Sequence, residues 1–290
     1  MKVCGFTIVR NAIQLDYPVI EAITSVLPLC DLFIVAVGKS SDTTLTEIGK
    51  IHSERIRIIE STWDDRLREG GKVLAVETDK AFAAIPPDMD WCFYIQADEV
   101  CHEKYYPVIQ AAMQKYLPDR NVEGLLFNYE HFYGSYDYIG SSWRWYRREV
   151  RIIRNDKSIF SYRDAQGFRK RPNEKLKVKL LDACIYHYGW VRDPRAMQRK
   201  QAAFSQLYHD DKWMRENFVE AQEFDYSEID SLQLFEGTHP QVMKDRIARL
   251  NWKFTHDISR NRLTLRERAK RLASRALGYR VGEYRNYQLI

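Results

Sequence analysis

The segment WCFYIQADEVCHE, residues 91–103, runs from apolar and aromatic side chains into two adjacent acids, Asp98 and Glu99. A strand-length apolar run reads as a buried strand, and carboxylates at its carboxyl end lie where open α/β sheets present their ligand crevice. Such a pair could hold a hard cation, Mg2+ or Mn2+, which takes oxygen ligands and bridges to substrate phosphates. It could equally cap the helix that follows, since acids are stabilising near a helix N-terminus. In VGKSSDTTLTE, Asp42 stands between a strand and a helix, able to cap that helix or to meet a ligand hydroxyl. The stretch IYHYGWVRDP ends another apolar run on His187, with Trp190 and Arg192 close behind. A neutral imidazole there could complete a carboxylate metal site, and the guanidinium could pair with phosphate oxygens. The plainer alternatives are a satisfied core histidine and a surface ion pair.

These groups can act together only if the chain brings them to one edge of a sheet. KVCGFTIV, DLFIVAVG, RIRIIE and WCFYIQAD read as strands. Between them DYPVIEAITSVLPL, TTLTEIGKIHSE and GGKVLAVETDKAFAAI read as helices, the first with Pro18 near its first turn. This alternation implies right-handed crossovers and a mainly parallel sheet with helices on both faces, an α/β fold. After a helical HEKYYPVIQAAMQKYL, the runs EGLLFNYEHF, EVRIIRN and LKVKLLDACIYHYG continue the sheet with antiparallel or edge strands. A helical DPRAMQRKQAAFSQLYHDD follows. Nine aromatic residues lie between Phe127 and Tyr146, against 13% for the chain, a density that suits either a sugar-stacking surface or a core beneath the sheet edge.

With 290 residues, 45% of them hydrophobic, the chain has material for one large domain or two modest ones. No apolar stretch approaches the ~18 residues that span a bilayer, and Arg10 and Asn11 interrupt the N-terminus before a signal-peptide core could form. A soluble, cytoplasmic protein is the expectation. The five cysteines are odd in number and lack CxxC or zinc-finger spacing, which predicts buried free thiols. The net charge of +5 is concentrated at the C-terminus, where ten Lys or Arg face three acids between Lys253 and Arg285. Residues 212–290 therefore read as a basic helical extension to a domain of residues 1–211. With Leu263, Leu265, Leu272 and Leu277 among the charges, that extension could lie on the anionic inner face of a membrane or simply be a solvated helix.

The order FTIVRN, IVAVGKSSDTT, DWCFYIQADEV resembles the N-terminal half of family 2-like glycosyltransferases with the GT-A fold, whose usual pattern is TRNE, VDDGSTDGT and DADE. EGLLFNYEHFYG, WYRREVRIIRN, YRDAQGFR and IYHYGWVRDP are similar to the acceptor half of bacterial members that build lipopolysaccharide cores and other surface glycans. The likeness runs over residues 3 to 205 and implies a nucleotide-binding half, about 1–100, and an acceptor half, about 101–211. It implies transfer of a sugar, with inversion, from a nucleotide-diphosphate donor to a glycan or lipid-linked acceptor. Arg10, Asn11, Asp42, Gln96, Asp98, Trp190 and Arg192 are implicated in donor binding by this resemblance, and Asp98, Glu99 and His187 in holding Mg2+ or Mn2+ against the diphosphate. An inverting transfer needs a base for the acceptor hydroxyl. Glu149 and Asp164 are the two candidates by position, Asp164 preferred because a loop can bring it over the site. Two positions depart from the pattern: Val37 and Gly38 replace the paired aspartates that contact base and ribose, and Gln96 replaces the first acid of DADE. An amide can still hydrogen-bond a hydroxyl but is a poorer metal ligand. A sugar-phosphate nucleotidyltransferase is the alternative enzyme, although its glycine- and arginine-rich first loop is absent from FTIVRNAIQ. A nucleic-acid-binding module is the non-enzymatic alternative, opposed by the distance in sequence between the aromatics and the basic tail; nucleic acid is not an expected partner.

Overall fold

The computed structural model describes residues 1–262, 264, 267, 269–270, 272–274 and 282–290. Its first half alternates as expected: β1 (Val3–Val9), α1 (Val19–Val26), β2 (Leu32–Gly38), α2 (Thr44–Gly49), β3 (Ile56–Ser61), α3 (Lys72–Ala83) and β4 (Trp91–Tyr94). Then come β5 (Glu99–Cys101), α4 (Tyr106–Tyr116), β6 (Gly124–Tyr133), β7 (Tyr138–Gly140), β8 (Arg148–Arg154), β9 (Ile159–Tyr162), β10 (Gly167–Lys170) and the long β11 (Glu174–Trp190). The C-terminal part holds α5 (Pro194–Gln206), α6 (Asp211–Asn217), β12 (Leu232–Leu234), α7 (Lys244–Ala248) and β13 (Tyr287–Leu289).

The central sheet has the order β3-β2-β1-β4-β8-β6-β11-β10-β9. Strands β1 to β4 run parallel. β8 enters antiparallel between β4 and β6, and β11 then runs parallel to β6. The sheet is therefore mixed and mainly parallel, flanked by helices, as expected. The apolar runs are continuous because both faces are covered. Along β4 and just beyond it, Trp91, Phe93 and Ile95 enter one core while Cys92 and Tyr94 enter the other, and β2 divides the same way with Phe33 and Val35 against Ile34 and Ala36. All five cysteines are free and buried.

The aromatic run falls mainly under the second of its two readings, a core beneath the sheet, and the C-terminal region departs from a purely helical one. Of the aromatic run, Phe127, Phe132, Tyr133 and Trp145 are buried, and Tyr146 is its one member that lines the principal cleft. Residues 212–290 carry two short strands as well as short helices: β12 pairs with β7, and β13 adds to β11. Arg147 also holds Glu283 through two hydrogen bonds of 2.8 and 2.9 Å. The segment reaches back onto the main sheet because β11 is long enough to offer it a free edge. No described helix is long and apolar enough to cross a membrane. Leu263, Leu265 and Leu277, with Arg266, Arg268, Arg271, Arg275 and Arg280, lie outside the described residues.

Candidate active site

β4 ends at Tyr94, so Gln96, Ala97 and Asp98 form a turn past the strand's carboxyl end, and Glu99 opens β5. β5 pairs antiparallel with β11 and places Glu99 opposite His187. The Asp98 carbonyl accepts the Tyr188 N–H at 2.8 Å, which fixes the acid beside the histidine although they stand far apart in sequence. β6 runs along the other side of β11 and sets His131 level with His187. These strand ends, the β9–β10 loop and α5 enclose a cleft of about 510 Å³, a volume typical of small-ligand sites.

Arg10, Asn11, Gln96, Asp98, Asp164, His187 and Trp190 line this cleft; Asp42, Glu99, Glu149 and Arg192 do not. Asp98 ends the turn and Glu99 opens β5, and their side chains part there: Asp98 lines the cleft and Glu99 does not. Glu99 is fully buried and committed: its oxygens accept from Arg151 at 2.7 and 2.8 Å, from the Tyr129 hydroxyl at 2.8 Å and from the Gln96 N–H at 3.0 Å. That occupation leaves it no lone pair for a metal in the cleft. Asp42 serves its own loop, accepting from Thr44 N–H at 2.9 Å, Thr44 Oγ1 at 2.5 Å and Gln14 N–H at 2.8 Å. Asn11, at a positive φ of 54° that asparagine tolerates, accepts the Ser41 N–H at 2.8 Å and so locks the first two crossover loops together. The Arg10 guanidinium lies 4.4 Å from the Trp63 ring centroid and bonds Asp65 at 2.7 Å.

Around Asp98 the electrostatics are asymmetric. Lys200 Nζ lies 3.2 Å from Oδ2, His187 Nε2 3.7 Å from Oδ1 and Arg192 Nη2 3.9 Å from Oδ2. Burial alone would raise the Asp98 carboxyl, but Lys200, then His187 and Arg192, outweigh it and hold the group well below the usual carboxylate range. Burial, reinforced by Arg192, brings the Lys200 ammonium down to about 7. Arg192 is fully buried, donating to the carbonyls of Leu15 (2.9 Å), Asp16 (3.2 Å) and Gly189, and its Nη2 has no hydrogen-bond partner.

The hydrogen bonds also assign the histidine protons. His131 Nε2 faces the Tyr146 carbonyl at 2.7 Å, an acceptor only, so that nitrogen carries a proton. Burial and the neighbouring His187 push His131 well below 6.5, and burial lowers His187 as well while Asp98 opposes that shift. The two Nδ1 atoms stand 3.0 Å apart; His131 Nδ1 accepts and His187 Nδ1 donates. His187 Nε2 is turned toward Asp98 Oδ1, 3.7 Å away.

Asp164 sits in the β9–β10 loop between Arg163 (φ 57°) and Ala165 (φ 62°), two non-glycine residues in the left-handed region. Strain of this kind persists where surroundings enforce it. Here Gln96 Nε2 donates to the Ala165 carbonyl at 3.1 Å, Arg151 Nη1 to the Gln166 carbonyl at 2.8 Å, and Gln166 Nε2 to Glu149 Oε1 at 2.7 Å. The Tyr208 hydroxyl donates to Asp164 Oδ2 at 2.6 Å. Glu149 is buried behind this loop, where burial raises its carboxyl to about 8 and Oε2 has no hydrogen-bond partner.

Sequence reading passed over Lys200, His131, Tyr17, Trp63 and Tyr208. Lys200 had a signal: it falls on the apolar stripe of α5 with Ala196 and Met197, where a lysine is out of place unless paired. Trp63 explains the glycine at 38, because a Cβ there would stand 2.4 Å from the indole Nε1. The indole fills room that an acid at that position would need.

No protein-family model matches the chain, and no curated protein sequence matches it. Among solved structures it is similar to residues 1–349 of S. aureus TarS, at 12% identity over 70% of this chain and 64% of that one, with a TM-score of 0.43; that fragment has also been solved with UDP. It is similar too to glucosyl-3-phosphoglycerate synthase from Mycobacterium tuberculosis with Mn2+, UDP and phosphoglyceric acid, at 20% identity over 46% of this chain and 43% of that one, TM-score 0.29. A third is 4-diphosphocytidyl-2C-methyl-D-erythritol synthase from Anaerococcus prevotii, at 11% identity over 53% and 71%, TM-score 0.33. The chain spans less than two thirds of the TarS fragment's length. Likenesses this weak carry no argument about chemistry, which rests on the cleft itself.

Proposed function

We propose that the chain is a glycosyltransferase that takes a sugar from a nucleotide-diphosphate donor and passes it, with inversion, to a glycan or lipid-linked acceptor of a surface polysaccharide. The observation that carries this reading is that Asp98 Oδ1 and His187 Nε2 stand 3.7 Å apart in the cleft, within reach of a single cation. One carboxylate oxygen with one imidazole nitrogen fits a divalent ion that takes its other ligands from phosphate. Asp98 and His187 would hold Mg2+ or Mn2+, whose charge offsets that gathering on the leaving diphosphate.

The chain's own residues do the rest. Lys200 and Arg192 keep the cleft floor positive where the diphosphate lies. Arg10, over the Trp63 ring, and the locked Asn11 loop border the nucleoside end. Tyr146 and Trp190 offer ring faces to a sugar. Asp164 is the base: Tyr208 occupies Oδ2, so Oδ1 takes the acceptor's hydroxyl proton. The acceptor oxygen bonds to the anomeric carbon as the bond to the diphosphate oxygen breaks, and the electron pair leaves with the diphosphate.

A screen of nucleotide sugars with Mn2+ or Mg2+, following nucleoside-diphosphate release, tests the reading. Release by the parent, lost in Asp98→Asn and His187→Ala, is the expected result. Release of pyrophosphate from a nucleoside triphosphate and a sugar phosphate would point instead to nucleotidyl transfer, and a parent that neither binds nor turns over any nucleotide sugar would end the proposal.

A further inference from the structure

Asp98 already has a cation of its own. Lys200 projects from the buried stripe of α5 and is 7% exposed, with Nζ 2.7 Å from the Gly189 carbonyl and 3.2 Å from Asp98 Oδ2. An ammonium has three N–H donors in tetrahedral arrangement. Two are accounted for by those bonds, and the side chain lines the cleft. Arg192 adds a second positive charge behind Asp98, its Nη2 buried, 3.9 Å from Oδ2 and without a hydrogen-bond partner. This corner of the cleft therefore sets the Lys200 and Arg192 side chains against the one carboxylate of Asp98 before any ion or ligand arrives. A divalent ion entering alone would meet net repulsion; one entering with a diphosphate would not.

We propose that Lys200 is an internal cation that competes with the divalent ion for Asp98 and passes its ammonium to the donor's diphosphate when the two bind together, which makes ion and diphosphate binding mutually dependent. The proposal rests on the transferase reading and names how its charged floor is regulated. Removing Lys200 acts on the two affinities in opposite directions. The ion alone gains, since Asp98 is released and a like charge is gone. The diphosphate loses, since a donor is gone.

Mn2+ binding by electron paramagnetic resonance, with and without inorganic pyrophosphate as a base-free probe, reads both on the full chain. Relative to the parent, Lys200→Met is expected to bind free Mn2+ about tenfold more tightly, and pyrophosphate in saturating Mn2+ about tenfold more weakly. Lys200→Arg retains the charge and is expected to keep the parent's weak binding of free Mn2+. Asp98→Asn should lose Mn2+ binding in every background. If Lys200→Met does not fold, Lys200→Gln, whose amide can still donate to the Gly189 carbonyl, takes its place with the same expected shifts. A merely structural lysine would not give a variant with stronger Mn2+ binding. Unchanged or weaker Mn2+ binding in the folded variant, with the parent binding Mn2+ and pyrophosphate, overturns the role of Lys200 and leaves the transferase reading standing. A parent that binds neither probe overturns both.

Discussion

Gln96 shows what one atom type can decide. An acid at this position would offer a carboxylate to the cleft but could not donate to the Ala165 carbonyl, and it would set a like charge near Asp164. The amide instead anchors the strained loop that presents Asp164. Gln96→Glu is therefore expected to lower kcat while leaving donor KM nearly unchanged, by about ten- to a hundredfold, the scale of leaving a buried acceptor unsatisfied at roughly 1–3 kcal/mol. Asp164→Asn should cost more, about 10²–10⁴-fold in kcat, as loss of a general base does. Steady-state kinetics with a confirmed donor checks both. Should Gln96→Glu raise KM alone, the amide's role would be in donor contact and not in loop support.

Among the elements, β11 matters most to the site, because it places His187 against β5 on one side and His131 against β6 on the other. Gly189, two residues on, lets the Asp98 turn approach this strand. A Cβ at 189 would stand 2.4 Å from His187 Cε1 and 2.9 Å from Asp98 Oδ2, and the Gly189 carbonyl accepts from both Lys200 and Arg192. Gly189→Ala is expected to abolish Mn2+ binding by pushing the imidazole and carboxylate apart, with a far-ultraviolet dichroism spectrum like the parent's. Retained Mn2+ affinity would show that the turn can give way at no cost to the site.

At the scale of the whole molecule, the sheet carries buried titratable groups through its centre: Arg151, Glu99 and Glu149 lie among the strands within the core. Glu149 makes global stability depend on pH with a definite sign. Its folded value, about 8, exceeds the ordinary 4.5 because burial, the largest cause, disfavours the charged form. The folded state then holds a proton that the unfolded state releases, so this contribution is fully present below about 4.5 and is lost as pH rises through about 8. The melting temperature of the parent should fall across that window, and Glu149→Gln should flatten the fall. A parallel decline in both proteins would place the dependence elsewhere.

The alternating runs of KVCGFTIV, DLFIVAVG and WCFYIQAD determined the parallel half of the sheet without help, since strands covered on both faces must be apolar throughout and the helices between them dictate crossovers. Asp98 and His187 were legible for the same reason: each follows such a run, and strand ends are where a sheet opens. The register of β5 against β11 was not legible. That register sets Glu99 within the sheet, where it meets Arg151, while the turn before β5 leaves Asp98 in the cleft. Nor could sequence place Lys200 beside Asp98, the indole of Trp63 over Gly38, or β13 on the edge of β11. Those are contacts between distant segments, set by packing and by charges that find each other only once the chain has closed on itself.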